Sequence, residues 1–361
     1  MARGAVGRWF GRINWLAVAL ALGVVVLGAY VRLSDAGLGC PDWPGCYGEI
    51  LGVPGEEQRL DVARQHYGDE VPAHRLDPAA GWKEMVHRYF ASTLGLLIVV
   101  MAVLAWRRRR EPEQPVVLPV VLVGLVVFQG LLGMWTVTLQ LKPVIVMAHL
   151  LGGLATLALL WWLVVARGRW VGAMAGPRLR GLLPWSVAGT AILAGQIALG
   201  GWTSANYAAL ACPDFPTCQG EWWPPMDFRE AFVLWRGLGV NYEFGVLDHP
   251  ARTAIQVSHR IGALVTALYL GVLGLVALLR GRGKARLPGA AVLVLLAVQV
   301  ALGISNVLLG LPLPVAVAHN GVAALLLLSV LTLAAAALRS GASVKQTGVN
   351  NVIHQNAALQ Q

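Results

Sequence analysis

Charge is what this sequence has least of. Only 13% of its 361 residues are Asp, Glu, Lys or Arg, 57% are hydrophobic, and the mean hydropathy is +0.64. Those values lie outside the range of ordinary globular domains and exclude a soluble one. Cysteine is also scarce, with four in the chain, and none of them forms the Cys-x-x-Cys of thiol oxidoreductases. The first apolar run lacks a small-residue cleavage site before a polar start and continues into "GAYVRLSDAG", so it reads as a retained helix and not as a signal peptide.

What is abundant is apolar sequence in lengths that cross a bilayer, about 20 residues each. Eight such runs lie at 13–33, 85–106, 115–137, 143–166, 182–203, 254–279, 287–309 and 313–338. Placing both termini and alternate loops in the cytoplasm gathers 17 of the 28 basic residues into short segments, among them Arg107 to Arg110 and Arg280 to Arg286. The positive-inside rule favours that orientation. The net charge of +10 then follows from topology and anionic lipid and calls for no nucleic acid. Both cysteine pairs fall on the outer side, which in a bacterium is the oxidising periplasm.

The cysteine loops are written twice. "CPDWPGCYGE" from Cys40 and "CPDFPTCQGE" from Cys212 agree at seven of ten positions, 172 residues apart. The same offset lays "EMVHR" (Glu84 to Arg88) on "QVSHR" (Gln256 to Arg260), and an offset of 170 lays Gln129 on Gln299 and His149 on His319. The expected fold is therefore an all-α polytopic membrane protein of two tandem four-helix bundles. Each half has an even number of spans, so the halves are related by a pseudo-two-fold axis along the membrane normal. The expected division is 1–175, 176–340 and a polar cytoplasmic tail, 341–361.

Of eight histidines, four (His66, His74, His249, His354) fall in loops or tail. The other four, His87, His149, His259 and His319, fall one each in spans 2, 4, 6 and 8, about three to seven residues past the outer end. Ionisable residues inside a bilayer are costly and by default functional. Two imidazoles on facing helices of a bundle are what axial ligation of a heme iron requires. A zinc site of two histidines without carboxylate or thiolate would be under-ligated. Small residues nearby (Ser92, Gly95, Gly152, Gly153, Gly262, Gly321) leave room for a flat macrocycle. Arg88 and Arg260 could pair with heme propionates or be flanking interfacial charges. Gln129, Gln196, Gln299 and Asn306 read first as interhelical hydrogen bonders.

Together, "GAYVRLSDAGLGCPDWPGC", "EMVHR", the "AH" of spans 4 and 8, "SHR" and "VLDHPAR" resemble the heme A synthase family across all eight spans. The resemblance implies an oxidoreductase that converts a methyl group of heme O to the formyl group of heme A, for terminal oxidases. It implies heme O as substrate in the first half, at His87 and His149, and heme b as cofactor in the second, with His259 and His319 as axial ligands. It also implies a heme O donor, the protoheme farnesyltransferase, together with oxidase assembly factors and a bacterial inner-membrane location; homo-oligomerisation is left open.

The halves differ where that chemistry would need them to. Glu84 lies three residues before His87 and so on the same helix face, whereas its counterpart is Gln256. A carboxylate there can stabilise cationic character or act as general base toward water. The plainer role is an i, i+4 pair with Arg88, although Arg260 stands without such a partner. For the cysteines, structural disulfides Cys40–Cys46 and Cys212–Cys218, redox thiols and metal ligands compete. Pro and Asp inside each short ring suit a disulfide-closed lid. A di-heme electron carrier and a heme transporter are the alternative functions.

Overall fold

A computed structural model of the chain describes residues 5–69 and 71–358, with side chains over 9–69 and 71–340. Among the described residues eight helices are long and apolar enough to cross a membrane, and no strand forms beyond two isolated bridges. The helices are Ala5–Leu33 (span 1), Pro78–Arg107 (span 2), Val117–Thr138 (span 3), Pro143–Val165 (span 4), Leu183–Ala205 (span 5), His249–Arg280 (span 6), Leu287–Leu308 (span 7) and Leu313–Ala358 (span 8). The shortest have 22 residues. At about 1.5 Å per residue that is about 33 Å, enough for a hydrocarbon core of about 30 Å. Helix is the form such segments take because lipid offers no partner to a free N–H or C=O. The eight apolar helices fit a multi-pass membrane protein.

The apolar runs locate every span but misplace three starts, that of span 1, which begins at Ala5 and not at 13, and those of spans 2 and 6. Span 2 begins at Pro78 and span 6 at His249, ahead of the expected 85 and 254, because caps and not hydropathy set a helix start. Asp77 accepts a hydrogen bond from the Ala79 N–H at 2.9 Å, with Pro78 preset for the first turn. Asp248 stands at the matching N-cap of span 6, ahead of His249 and Pro250, without a side-chain cap hydrogen bond. His87 and His259 therefore stand nine and ten residues past their helix starts, which corrects the expected three to seven. His149 and His319 stand six past theirs, within it.

Span 1 packs on span 2, span 2 on span 3, span 3 on span 4, and span 4 back on span 1; spans 5 to 8 close a second ring the same way. Across the rings, span 1 meets span 8, and span 4 meets spans 5 and 8. Span 8 is the hub. Its apolar window is 67% buried, against 17–28% for the others. Lipid is as apolar as leucine, so close packing and polar contacts hold such helices together. Ala334 to Ala337 on span 8 are buried in the seam, and the Trp161 indole N–H reaches Thr332 Oγ1 and Leu328 O, each at 3.0 Å.

The short turns repeat too. Gln140 and Leu141, between spans 3 and 4, have positive φ, as do Gly310 and Leu311, which lie 170 residues later between spans 7 and 8. Span 8 continues as helix to Ala358, while the side chains of 341–358 and residues 359–361 lie outside the described residues. The expected polar tail thus falls there.

Candidate functional site

Both cysteine loops sit at the same end of the helices and share the hydrogen bonds of their turns. Cys40–Cys46 and Cys212–Cys218 are disulfides. In the first loop the Asp42 carboxylate accepts from the N–H groups of Tyr47 (2.6 Å) and Gly48 (2.8 Å). In the second, Asp214 accepts from Gln219 (2.5 Å) and Gly220 (3.0 Å). Gly48 and Gly220 have φ of 81° and 78°, a conformation that favours glycine. The bridges Cys46 to Glu49 and Cys218 to Glu221 then close each ring.

The repeated arginines hold these loops down. Arg88 donates to the carbonyls of Asp42, Pro44 and Gly45, and Arg260 to those of Cys212, Asp214 and Thr217. Loop carbonyls inside a bend have no ladder partner, and a five-donor guanidinium satisfies several at once.

Glu84 is buried beneath the first loop. Its Oε2 accepts from the Cys40 N–H at 3.0 Å, and its Oε1 pairs with Arg88 Nη2 at 2.5 Å. The i, i+4 pair therefore forms, and it ties the carboxylate to the disulfide ring as well. At the matching place Gln256 is also buried, but its Oε1 has no partner. The Tyr47 hydroxyl donates to Arg75 O, and burial pushes that phenol up to about 12, so it stays a donor.

Residues that sequence patterns did not single out join the first loop, and the turn between spans 3 and 4, to the second loop. Arg75 of the first loop pairs with Glu243 of the second at 2.5 Å, both side chains only 5% exposed, beside a cavity of about 250 Å³. Lys142 donates to Gly237 O at 3.0 Å and lies 3.6 Å from the Trp235 ring centroid. No periodicity links such distant positions, so only the fold reveals them.

Below the loops lie the four histidines. His87 and His149 lie on spans 2 and 4 of the first ring, His259 and His319 on spans 6 and 8 of the second. Each ring packs on a glycine of the preceding span: a Cβ would meet the ring Cε1 at 3.0 Å on Gly28 (His87), 3.5 Å on Gly133 (His149), 3.1 Å on Gly200 (His259) and 3.1 Å on Gly303 (His319). Gly28 and Gly200 are 172 apart, Gly133 and Gly303 170 apart, so the duplication itself carried the signal that would have found them. Of the glycines expected to make room for a macrocycle, Gly152 is covered by Gln129 and Gly262 by Gln196.

The donor set fits heme. Nδ1 of His87, His149 and His319 is sealed from solvent without a partner, and the Nδ1 of His259 meets Gln196 Nε2 at 3.0 Å. All four histidines are otherwise only half-buried, so the accessible part of each ring is another edge. Among the described residues no three His, Cys, Asp or Glu side chains gather as a metal cluster. Two imidazoles alone suit an iron whose other four donors come with a macrocycle. Gln299 Nε2 lies 3.2 Å from His319 Nε2, the nitrogen such an iron would take, while the Gln129 Nε2 has no partner.

Proteins of known name resemble the chain along most of its length. The chain is 45% identical over 326 residues to the heme A synthase of Shewanella oneidensis, covering 89% of this chain and 96% of that protein. It is 30% identical over 337 residues to the heme A synthase of Caulobacter vibrioides (87% and 92%) and 30% over 339 residues to that of Paracoccus denitrificans (88% and 84%). A family model described as cytochrome oxidase assembly protein matches residues 11–331. With eight apolar helices, two disulfide loops and four glycine-backed histidines in place, the chain belongs to the COX15-CtaA family of cytochrome oxidase assembly proteins.

Proposed function

We propose that this chain makes heme A from heme O in a bacterial inner membrane, oxidising the C8 methyl of the substrate to a formyl group by two successive hydroxylations. Similarity to heme A synthases over most of the chain supports the activity. The observation that carries the division of labour is the broken symmetry at one helix position. A buried carboxylate, Glu84, stands one turn before His87, and an uncharged, half-unpartnered amide, Gln256, stands before His259.

In this reading residues 1–175 bind heme O between His87 and His149, and residues 176–340 hold heme b between His259 and His319. Heme b supplies one-electron redox capacity when bound. Glu84 provides negative charge and a proton acceptor beside the substrate, with the Cys40 N–H and Arg88 fixing its orientation. Arg88 and Arg260 hold the loops over the pocket rims and are the residues we assign to propionate contacts there, Arg88 with its charge already paired to Glu84. The disulfide loops face the periplasm, the termini the cytoplasm, and the chain receives heme O from the farnesyltransferase step and delivers heme A to oxidase assembly.

Extracting pigment from the purified protein tests this. Heme A or hydroxylated heme O alongside heme b is expected; two equivalents of heme b and nothing else would instead indicate an electron carrier.

A further inference from the structure

Gln196 is the one polar side chain that touches the Nδ1 of a membrane histidine, among the described residues. Its Nε2 lies 3.0 Å from His259 Nδ1 and donates to His259 O at 3.1 Å, while its Oε1 is buried with no partner. The amide needs the bare helix surface at Gly262, where any Cβ would collide with it. The first half carries neither part: 172 residues earlier stand Val24 and Phe90. His87 accordingly keeps a buried Nδ1 without a partner.

An imidazole that ligates iron through Nε2 carries its proton on Nδ1 and almost always donates it to an acceptor, which fixes the ring's tautomer and orientation. A carboxamide offers its oxygen in place of its NH₂ by a half-turn of the terminal group. That half-turn would give Oε1 the Nδ1 proton at the expense of the Nε2 bond to His259 O, from which Oε1 would draw back. His259 O would still keep its own helical hydrogen bond.

We propose that Gln196 is a positioning residue of the second half, a carboxamide that sets the tautomer and orientation of His259, and that Val24 leaves His87 without one. The pair that includes the histidine held by Gln196 then serves a resident heme, with His319 lacking an Nδ1 partner as His87 and His149 do, and the pair with neither ring held serves an exchangeable heme. This rests on the placement of heme b at His259 and His319 argued above.

The test uses the full-length protein in detergent micelles and follows heme b transfer to excess apomyoglobin. Gln196→Val, which copies the first half, should release heme b about ten- to hundredfold faster than the parent, the usual cost of losing such a partner. Gln196→Glu, with acceptors only, should keep heme b and lower its midpoint potential, which a purely packing role would leave unmoved. Val24→Gln should slow release of heme O from the first half. Parent-like release from Gln196→Val with an unmoved potential in Gln196→Glu overturns the proposal; should Gln196→Val not fold, the Gln196→Glu potential decides alone. Undiminished heme b in His259→Ala would instead overturn the placement of heme b itself.

Discussion

In the second half Gln196 touches the Nδ1 of His259 and Gln299 the Nε2 of His319; in the first, no side chain among the described residues touches a nitrogen of His87 or His149, whose Nδ1 atoms, like that of His319, are buried with no partner, and the nearby polar novelty is a carboxylate, Glu84. Everything that supports those rings is nevertheless shared: disulfide, aspartate-bound turn, arginine clamp and glycine backing recur at fixed offsets. The lesson is about which bonds are free to differ. Loop carbonyls and N–H groups must be satisfied in either half, so their partners are kept. Groups that tune a ligand or take a proton are not needed for folding, and there the halves part.

The comparison breaks most sharply at the ligands. Replacing His259 or His319 by Ala should abolish heme b binding, whereas His87→Ala or His149→Ala should leave heme b in place and stop heme A formation. Optical spectra of purified protein and pigment analysis of cells check both arms. Next, Glu84→Gln makes the first half like the second; heme A output should fall by about a hundredfold or more, as loss of a positioned general base does, with heme O still bound. Unchanged output would falsify the proposed proton acceptor.

The disulfides sharpen the likeness and not the difference. Cys40→Ser and Cys212→Ser should each cost about 2 kcal/mol, the loop-entropy value for so short a ring, measured by denaturation in detergent. The smallest effect concerns Asp214. The Thr217 hydroxyl, then the N–H groups of Gly220 and Gln219, hold its carboxyl down to about 2. A carboxyl lowered by folding contributes above its unfolded value of about 4 and loses that contribution as the pH falls toward about 2. Amide protection at Gln219 and Gly220 should drop across that window and lose its pH dependence in Asp214→Asn.

Much of this was legible in the sequence. The eight runs, the duplicated loop and the four histidines were readable because lipid demands long apolar helices and because a repeat shows itself at a fixed offset. The starts of spans 2 and 6 were not, since their polar first turns, the one capped by Asp77 and the other entered through Asp248 and Pro250, carry no hydropathy signal. Nor were the loop carbonyls that occupy Arg88 and Arg260, since an arginine's partners are backbone atoms with no residue code.

By itself, then, the sequence determined the membrane class, the number of spans, the internal repeat and the one-per-helix placing of four histidines in spans 2, 4, 6 and 8, all of which depend on residue type and spacing along the chain. Only the tertiary structure decided that glycines 28, 133, 200 and 303 back the rings, that Arg75 and Glu243 join the loops, and that Gln196 reaches one imidazole while Val24 stands at the matching place. Those are distances between helices, and they exist only once the helices have packed.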